Sequence, residues 1–421
     1  MPTRVQFRSL AASLLAVTVV VASVVLTSGQ TPTAIVFENA RVIVGDGRVI
    51  DGASFVVSGN RITQVGKGPL RAPAGAMHVS LAGKTVMPAI IDTHTHLSQT
   101  RDALVDDLRR RAYYGVGAAM SLGQDTTPMS FEVRAQTIPG AARFFTAGRG
   151  ISAPEPGRTT APHWVTTVEE TRAAVREEVA KKVDIVKIWV DDRLGMVTKL
   201  SPPLYTAAID EAHKHGFRTI AHVYTLDDAK GLVRAGIDAF AHDVRDRDID
   251  DEYLGLVKQH PNLVLGPNMP DRGVKVDYSW LRASLPPADY EKLEASNTDR
   301  PNDQAFFGIQ ARSLAKLSAA GMKIVVGTDG NTPWAPHVEM ADMVASGMTP
   351  MQVLVAATRN GAQFLRIADA GTIEANKSAD FIILNANPVD DITNTRKIAA
   401  VYLRGQQIDR SASPFRSNQT Q

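Results

Sequence analysis

Six side chains along this sequence have the types and settings for metal chemistry: His94, His96, Lys187, His222, His242 and Asp329. Five lie at or just beyond the end of a short apolar run, and Lys187 lies within one. His94 and His96 stand two apart in Ile91-Asp-Thr-His-Thr-His. On a strand, residues two apart point to the same side, so both imidazoles can reach one ion. Lys187 lies inside Val183-Asp-Ile-Val-Lys-Ile-Trp-Val. A bare ammonium is costly in such a run, so it needs a carboxylate partner, a depressed pKa or covalent conversion to an anion. His222 ends Thr219-Ile-Ala-His, His242 ends Ala239-Phe-Ala-His, and Asp329 ends Ile324-Val-Val-Gly-Thr-Asp. A lone strand-end histidine is more often a satisfied polar residue than a ligand, and a lone His-x-His pair is weak. Six such residues on five runs, the first, fourth, fifth, sixth and eighth strands of the barrel pattern, point to one pocket, and imidazoles, an amine and a carboxylate together make a metal site.

The elements that must position them alternate strand and helix through the middle of the chain, the pattern of a parallel α/β fold. Eight strands are predicted: Thr85–Thr95, Ala118–Leu122, Phe144–Ala147, Ile185–Val190, Thr219–Val223, Ala239–Ala241, Leu263–Leu265 and Lys323–Gly327. Thr167-Val-Glu-Glu and Thr349-Pro-Met-Gln are capping boxes that open helices. Ser201-Pro202 opens another, which Gly216 closes. Eight strands fit a closed barrel, whose C-terminal strand ends share one mouth. Both ends of the chain instead read as short β runs separated by Gly-Asp-Gly, Asp-Gly and Gly-Asn turns. The predicted fold is therefore α/β: a (β/α)8 TIM barrel over 87–367, with a small composite β-sandwich domain built from 34–86 and 368–409. The stretch 271–303, rich in Pro, Asp and Arg, interrupts the rhythm between strands seven and eight. A βα segment of that length is expected to cover substrate.

The ordered set His94, His96, Lys187, His222, His242 and Asp329 resembles that of the binuclear amidohydrolase superfamily, and Met87-Pro-Ala-Ile-Ile-Asp-Thr-His and Gly371-Thr-Ile-Glu-Ala-Asn-Lys-Ser-Ala-Asp-Phe fit the same resemblance. Within it the chain looks most like the imidazolonepropionase-like and dipeptidase-like group, which includes prolidases and ochratoxin-type amidases. The resemblance implies two divalent ions. His94, His96 and Asp329 hold the buried one, His222 and His242 hold the second, and a carboxylated Lys187 bridges them. Zinc is the expected metal, although nitrogen and carboxylate ligands also suit iron and manganese. Two cations close together need bridging anions, which a carbamate and a hydroxide would supply. Asp329 is then the catalytic proton shuttle, taking a proton during attack and giving it to the departing nitrogen. One-metal deaminases of the superfamily carry a glutamate soon after the strand-five histidine. Here Val223, Tyr224 and Thr225 follow His222, and Lys187 is present, which disfavours deamination.

Substrate contacts are read from position alone. Tyr224 follows a ligand by two residues and could share its cavity, with packing at the rim as the alternative. Arg245, just past His242, and Arg158 and His163, after strand three, could hold a substrate carboxylate, with surface ion pairing as the bland reading. His337, after Asp329, could line the pocket or serve a helix start.

Composition bounds the rest. A chain of 421 residues suits one large barrel plus a smaller domain. A net charge of +2 suggests no nucleic-acid partner. With no cysteine, disulfides, thiolate zinc sites and a cysteine nucleophile are excluded. Arg4 and Arg8 precede an apolar run from Leu10 to Leu26, with Thr27 and Gly29 beyond. That reads as a signal peptide over 1–29, cleaved on export to the periplasm or beyond, with an uncleaved anchor as the alternative. After cleavage no membrane contact is expected, and a homo-oligomer is compatible with the sequence. The function read from all this is an exported metal-dependent hydrolase of C–N bonds in small amides, dipeptides or N-acyl amino acids. Alternatives are a lactone or ester hydrolase using the same site, and a noncatalytic binding protein on this fold.

Overall fold

The computed structural model describes Met1 and residues 34–415, so the rest of the expected export segment lies outside the described residues. Eight parallel strands position the site: β1 (Ile90–Thr95), β2 (Val116–Ser121), β3 (Arg143–Thr146), β4 (Val186–Val190), β5 (Thr219–Val223), β6 (Ala239–Phe240), β7 (Val264–Leu265) and β8 (Lys323–Ile324). β1 to β3 pair in sequence order, as do β4 to β8. Between the two groups, the short strand Ile151–Ser152 pairs with β4 at Ile188, and Asp184 N–H donates to the Thr146 carbonyl at 2.9 Å. Thr93 N–H donates to the Val326 carbonyl at 2.9 Å and Asp329 N–H to the His94 carbonyl at 2.8 Å, so the first strand is joined to the last. Ile91, Met120, Ile185, Ile220, Val264 and Val325 form the buried core inside this ring. Every residue of β4 and of β5 is buried. That is why these strands read as nearly unbroken apolar runs rather than alternating ones.

Helices cover the outside. Thr167 and Glu170 form a capping box on Val168–Ala180, and Thr349 and Gln352 form one on Pro350–Val355. The helix Pro202–Lys214 ends before Gly216, whose φ of +77° makes the turn into β5 without a Cβ clash.

The second sheet runs in the order Gln406–Gln407, Ile398–Leu403, Phe381–Leu384, Thr85–Pro88, Ile35–Ile43, Val49–Ser58, Arg61–Lys67, with Met77–Ser80 also beside Ile35–Ile43. Both ends of the chain therefore contribute to it. Phe37 stacks on Phe55 and Phe381 on Tyr402, each pair at 4.8 Å, and these rings anchor its core. The single run Thr85–Thr95 expected from sequence is two strands in two sheets. Thr85–Pro88 pairs with Phe381–Leu384, whereas Ile90 begins β1. The switch falls at Ala89, whose N–H donates to the Asp380 carbonyl while that of Ile90 donates to the Gly115 carbonyl, both at 3.0 Å. The segment 271–303 is docked by Leu281, Leu285 and Tyr290 against Tyr114, whose hydroxyl donates to Ser284 at 2.8 Å. Among the described residues no helix is long and apolar enough to cross a membrane.

Candidate metal centre

β1 ends with His94 inside the strand and His96 just beyond it, so period-two geometry delivers both rings to one side. Asp329 meets them from the loop after β8. Its Oδ1 lies 3.1 Å from His94 Nε2 and 2.9 Å from His96 Nε2, while Oδ2 lies 3.4 Å from His242 Nε2. The rings of His94 and His242 are 5.2 Å apart, and those of His222 and His242 are 4.5 Å apart. The register Trp189↔His222 places Lys187 opposite Ile220, two residues deeper in the ring than His222. Lys187 is fully buried, its Nζ has no hydrogen-bond partner, and it lies 5.1 Å from the Trp189 ring. Gly123 makes room for this pair, because a Cβ there would stand 2.6 Å from the Trp189 ring and 2.8 Å from Lys187 Cγ.

The electrostatics suit cation binding. Burial lowers the His94 pKa to about 3 and the His222 pKa to about 4, and holds His242 well below its ordinary value. Neutral imidazoles with available lone pairs result, the form that ligates metals. Burial also brings the Lys187 amine down to about 7, with Asp329 opposing and Arg245 and Arg193 adding to the shift. For Asp329, burial favours the protonated carboxyl, but the surrounding His94, His96 and His242 outweigh it and hold the group far below the usual carboxylate range.

Supporting residues that motif reading missed hold this arrangement in place. Asp92 is fully buried and accepts from the Thr328 hydroxyl at 2.8 Å, tying β1 to the loop that carries Asp329. Arg111 donates to the Gly330 carbonyl at 3.0 Å and pins the same loop from the other side. His94 Nδ1 faces the Ala241 carbonyl at 3.3 Å, and Asn268 donates its amide to that carbonyl. Asp191 accepts from His222 Nε2 at 2.8 Å. Asp191 could have been suspected from its place one residue past β4, but nothing local marks Asn268 or Arg111.

Of the expected substrate contacts, Arg245 reaches the cluster with its side chain and Tyr224 is tied to Arg245 through its backbone carbonyl. Arg245 Nη2 approaches His242 Nδ1, and Arg245 N–H donates to the carbonyl of the half-buried Tyr224 at 2.8 Å. The other two are corrected. His163 Nε2 lies 2.7 Å from the carboxylate of the buried Glu178, a contact that joins the strand His163–Trp164 to the helix Val168–Ala180. His337 is fully buried, with Nδ1 3.0 Å from the Thr395 hydroxyl and Nε2 2.8 Å from the Tyr114 carbonyl. Both of its ring nitrogens are spent on packing partners, so it does not line the pocket. Arg158, weighed with them, pairs with Glu155.

A family model described as the amidohydrolase family matches residues 85–408. Imidazolonepropionase of Deinococcus radiodurans is 24% identical over 388 residues, covering 87% of this chain and 94% of that protein. Among solved structures, a proposed prolidase from Bifidobacterium longum matches with a TM-score of 0.75 at 26% identity, over 91% of this chain and 96% of that one. A Xaa-Pro dipeptidase with methionine bound in its active site matches with a TM-score of 0.71 at 22% identity, over 89% of this chain and 99% of that one. The matched span runs from the last strand before the ring to the final strands of the second sheet, and the chain accordingly belongs to the amidohydrolase family as a hydrolase of carbon–nitrogen bonds.

Proposed function

We propose that this is an exported, metal-dependent amidohydrolase that cleaves the C–N bond of small amides, dipeptides or N-acyl amino acids. The observation that carries the reading is the meeting of three imidazoles on Asp329, whose charge also acts on the buried amine of Lys187, itself without a hydrogen-bond partner. The donor set fits divalent ions: neutral imidazoles, an ionised carboxylate, and a Lys187 Nζ that is buried without a hydrogen-bond partner. His94, His96 and Asp329 would hold one ion and His222 and His242 a second, with Lys187 between them as a carbamate. Zinc is the expected metal. Ions held there supply Lewis acidity, lowering the pKa of a water and polarising a carbonyl.

The side chains do the rest. An amine near 7 is partly uncharged at neutral pH. The lone pair of Lys187 Nζ can form a bond to the carbon of CO2 as one C=O π pair moves to oxygen, and transfer of the nitrogen proton to water leaves a carbamate anion. Asp329 is ionised and stands among the ligand imidazoles, where it is the carboxylate within reach of the proton released when water attacks the carbonyl carbon. It then returns that proton to the departing nitrogen. An amide requires this because an unprotonated amide nitrogen leaves poorly. In this reading the Tyr224 hydroxyl donates to the substrate at the rim, and the planar fork of Arg245 takes a substrate carboxylate. The likeness to the structure of a proposed prolidase supports small peptides as substrates. Arg4, Arg8 and the apolar run to Leu26 support export.

The test is metal analysis of the purified protein combined with a panel of dipeptides, N-acyl amino acids and matched esters. Two ions per chain with amide turnover is the expected result. Turnover of the esters alone would replace the amide reading. A mature protein that still begins with Met1 would overturn cleavage on export.

A further inference from the structure

We propose that Asp191, clamped by Arg193 and Glu155, is a positioning residue that sets His222 for the second cation. The inference rests on the two-ion reading above and adds residues to it that no ligand motif contains. Asp191 follows β4 directly and is 6% exposed. Its Oδ2 accepts from His222 Nε2 at 2.8 Å and from Arg193 Nη1 at 2.5 Å, while its Oδ1 accepts from the Arg193 backbone N–H at 2.8 Å. Both oxygens are therefore engaged, and the carboxylate cannot rotate away from the ring without breaking three contacts. Arg193 is itself braced, with Nε and Nη2 each 3.4 Å from the two oxygens of Glu155, which is also buried.

The backbone shows that this clamp is imposed rather than incidental. Arg193 and the following Leu194 both adopt left-handed conformations, with φ of +53° and +59°. Two consecutive non-glycine residues take that geometry only where the surroundings hold them there. Here the fold turns the chain back so that Arg193 reaches Asp191 with both its amide and its guanidinium. The chemistry follows from the donor count. The His222 Nε2–H donates to the Asp191 carboxylate, so the lone pair available to a cation is the one on Nδ1. A ring with one nitrogen held by a carboxylate has a fixed tautomer and a fixed orientation, and is the more basic for it. The loop after β4 thus governs a ligand that belongs to β5.

Zinc titration of the chelator-stripped full chain tests this, alongside the nitrogen NMR signals of the metal-free His222 ring, assigned with His222→Gln. In Asp191→Ala, affinity at one of the two zinc sites should fall about 10–100-fold while the other is unchanged. Asp191→Asn keeps an acceptor for the ring N–H and should restore most of that affinity. Arg193→Ala should weaken the same site by less. Equal loss at both sites, or none, in Asp191→Ala would overturn the clamp. A wild-type chain that binds fewer than two zinc ions would instead overturn the two-ion reading. The NMR signals then decide alone: a single Nε2–H tautomer that becomes mixed in Asp191→Ala supports the clamp, and unchanged signals refute it.

Discussion

Replacing Lys187 by Met should make the metal-free protein more stable, although it removes a residue central to the site. Lys187 is fully buried and its Nζ has no hydrogen-bond partner. Burial brings its pKa from 10.5 in the open chain to about 7. At pH 7 that difference corresponds to a folding cost of about 4 kcal/mol, which an uncharged side chain of similar length avoids. The sign follows from proton binding. Between about pH 7 and 10.5 the unfolded chain holds a proton at this lysine that the folded chain lacks, so wild-type stability rises with pH there. The advantage of Lys187→Met should thus be full below pH 7 and gone by about pH 10.5. For roughly 400 ordered residues, 4 kcal/mol raises the melting temperature by about 5 °C. The assay is thermal unfolding of chelated wild-type and Lys187→Met protein at pH 6.5 and pH 10.5. Adding zinc should then reverse the order, because only the wild type can form the bridging carbamate. A metal-free Lys187→Met protein less stable than wild type at pH 6.5 would refute the picture of a bare, partnerless amine.

Further outcomes follow from the same geometry. Asp329→Asn should lower amide turnover at least about 100-fold, and ester turnover by less because an alkoxide leaves without prior protonation; matched substrates measure the difference. Gly327→Ala would place a Cβ 2.7 Å from Asn268 Oδ1 and 2.8 Å from His94 Cβ. It should cost about 1–3 kcal/mol in urea unfolding and reduce metal content by displacing His94. Burial raises the Asp342 carboxyl to about 7 against the pull of Arg272. The folded state therefore binds the extra proton, and stability should fall as pH rises from about 4 to 7 through this group. Asp342→Asn should flatten that part of the profile, read as urea midpoints at pH 5 and pH 8.

The ligand candidates were legible because the ring of strands translates sequence order into spatial order. A residue closing an apolar run in β1, β5 or β6 faces the common mouth whichever run it closes. His94, His96, His242 and Asp329 come together for that reason. What local pattern cannot supply is the partner across the fold. His337 sits eight residues after Asp329, yet its ring nitrogens are claimed by Thr395 and Tyr114, both distant in sequence. The same blindness hid Asn268 and Arg111, which support the site from a loop after β7 and a helix after β1. The run Thr85–Thr95 read as one strand because both sheets bury apolar residues there. Only the competing hydrogen bonds at Ala89 and Ile90 divide it.

The most direct measurement is anomalous scattering from crystals of the protein grown with zinc. Two peaks should appear, one among His94, His96 and Asp329 and one beside His222 and His242, with density for a carboxyl group extending from Lys187 Nζ. No peak at these residues, with Lys187 remaining a free amine, would contradict the account.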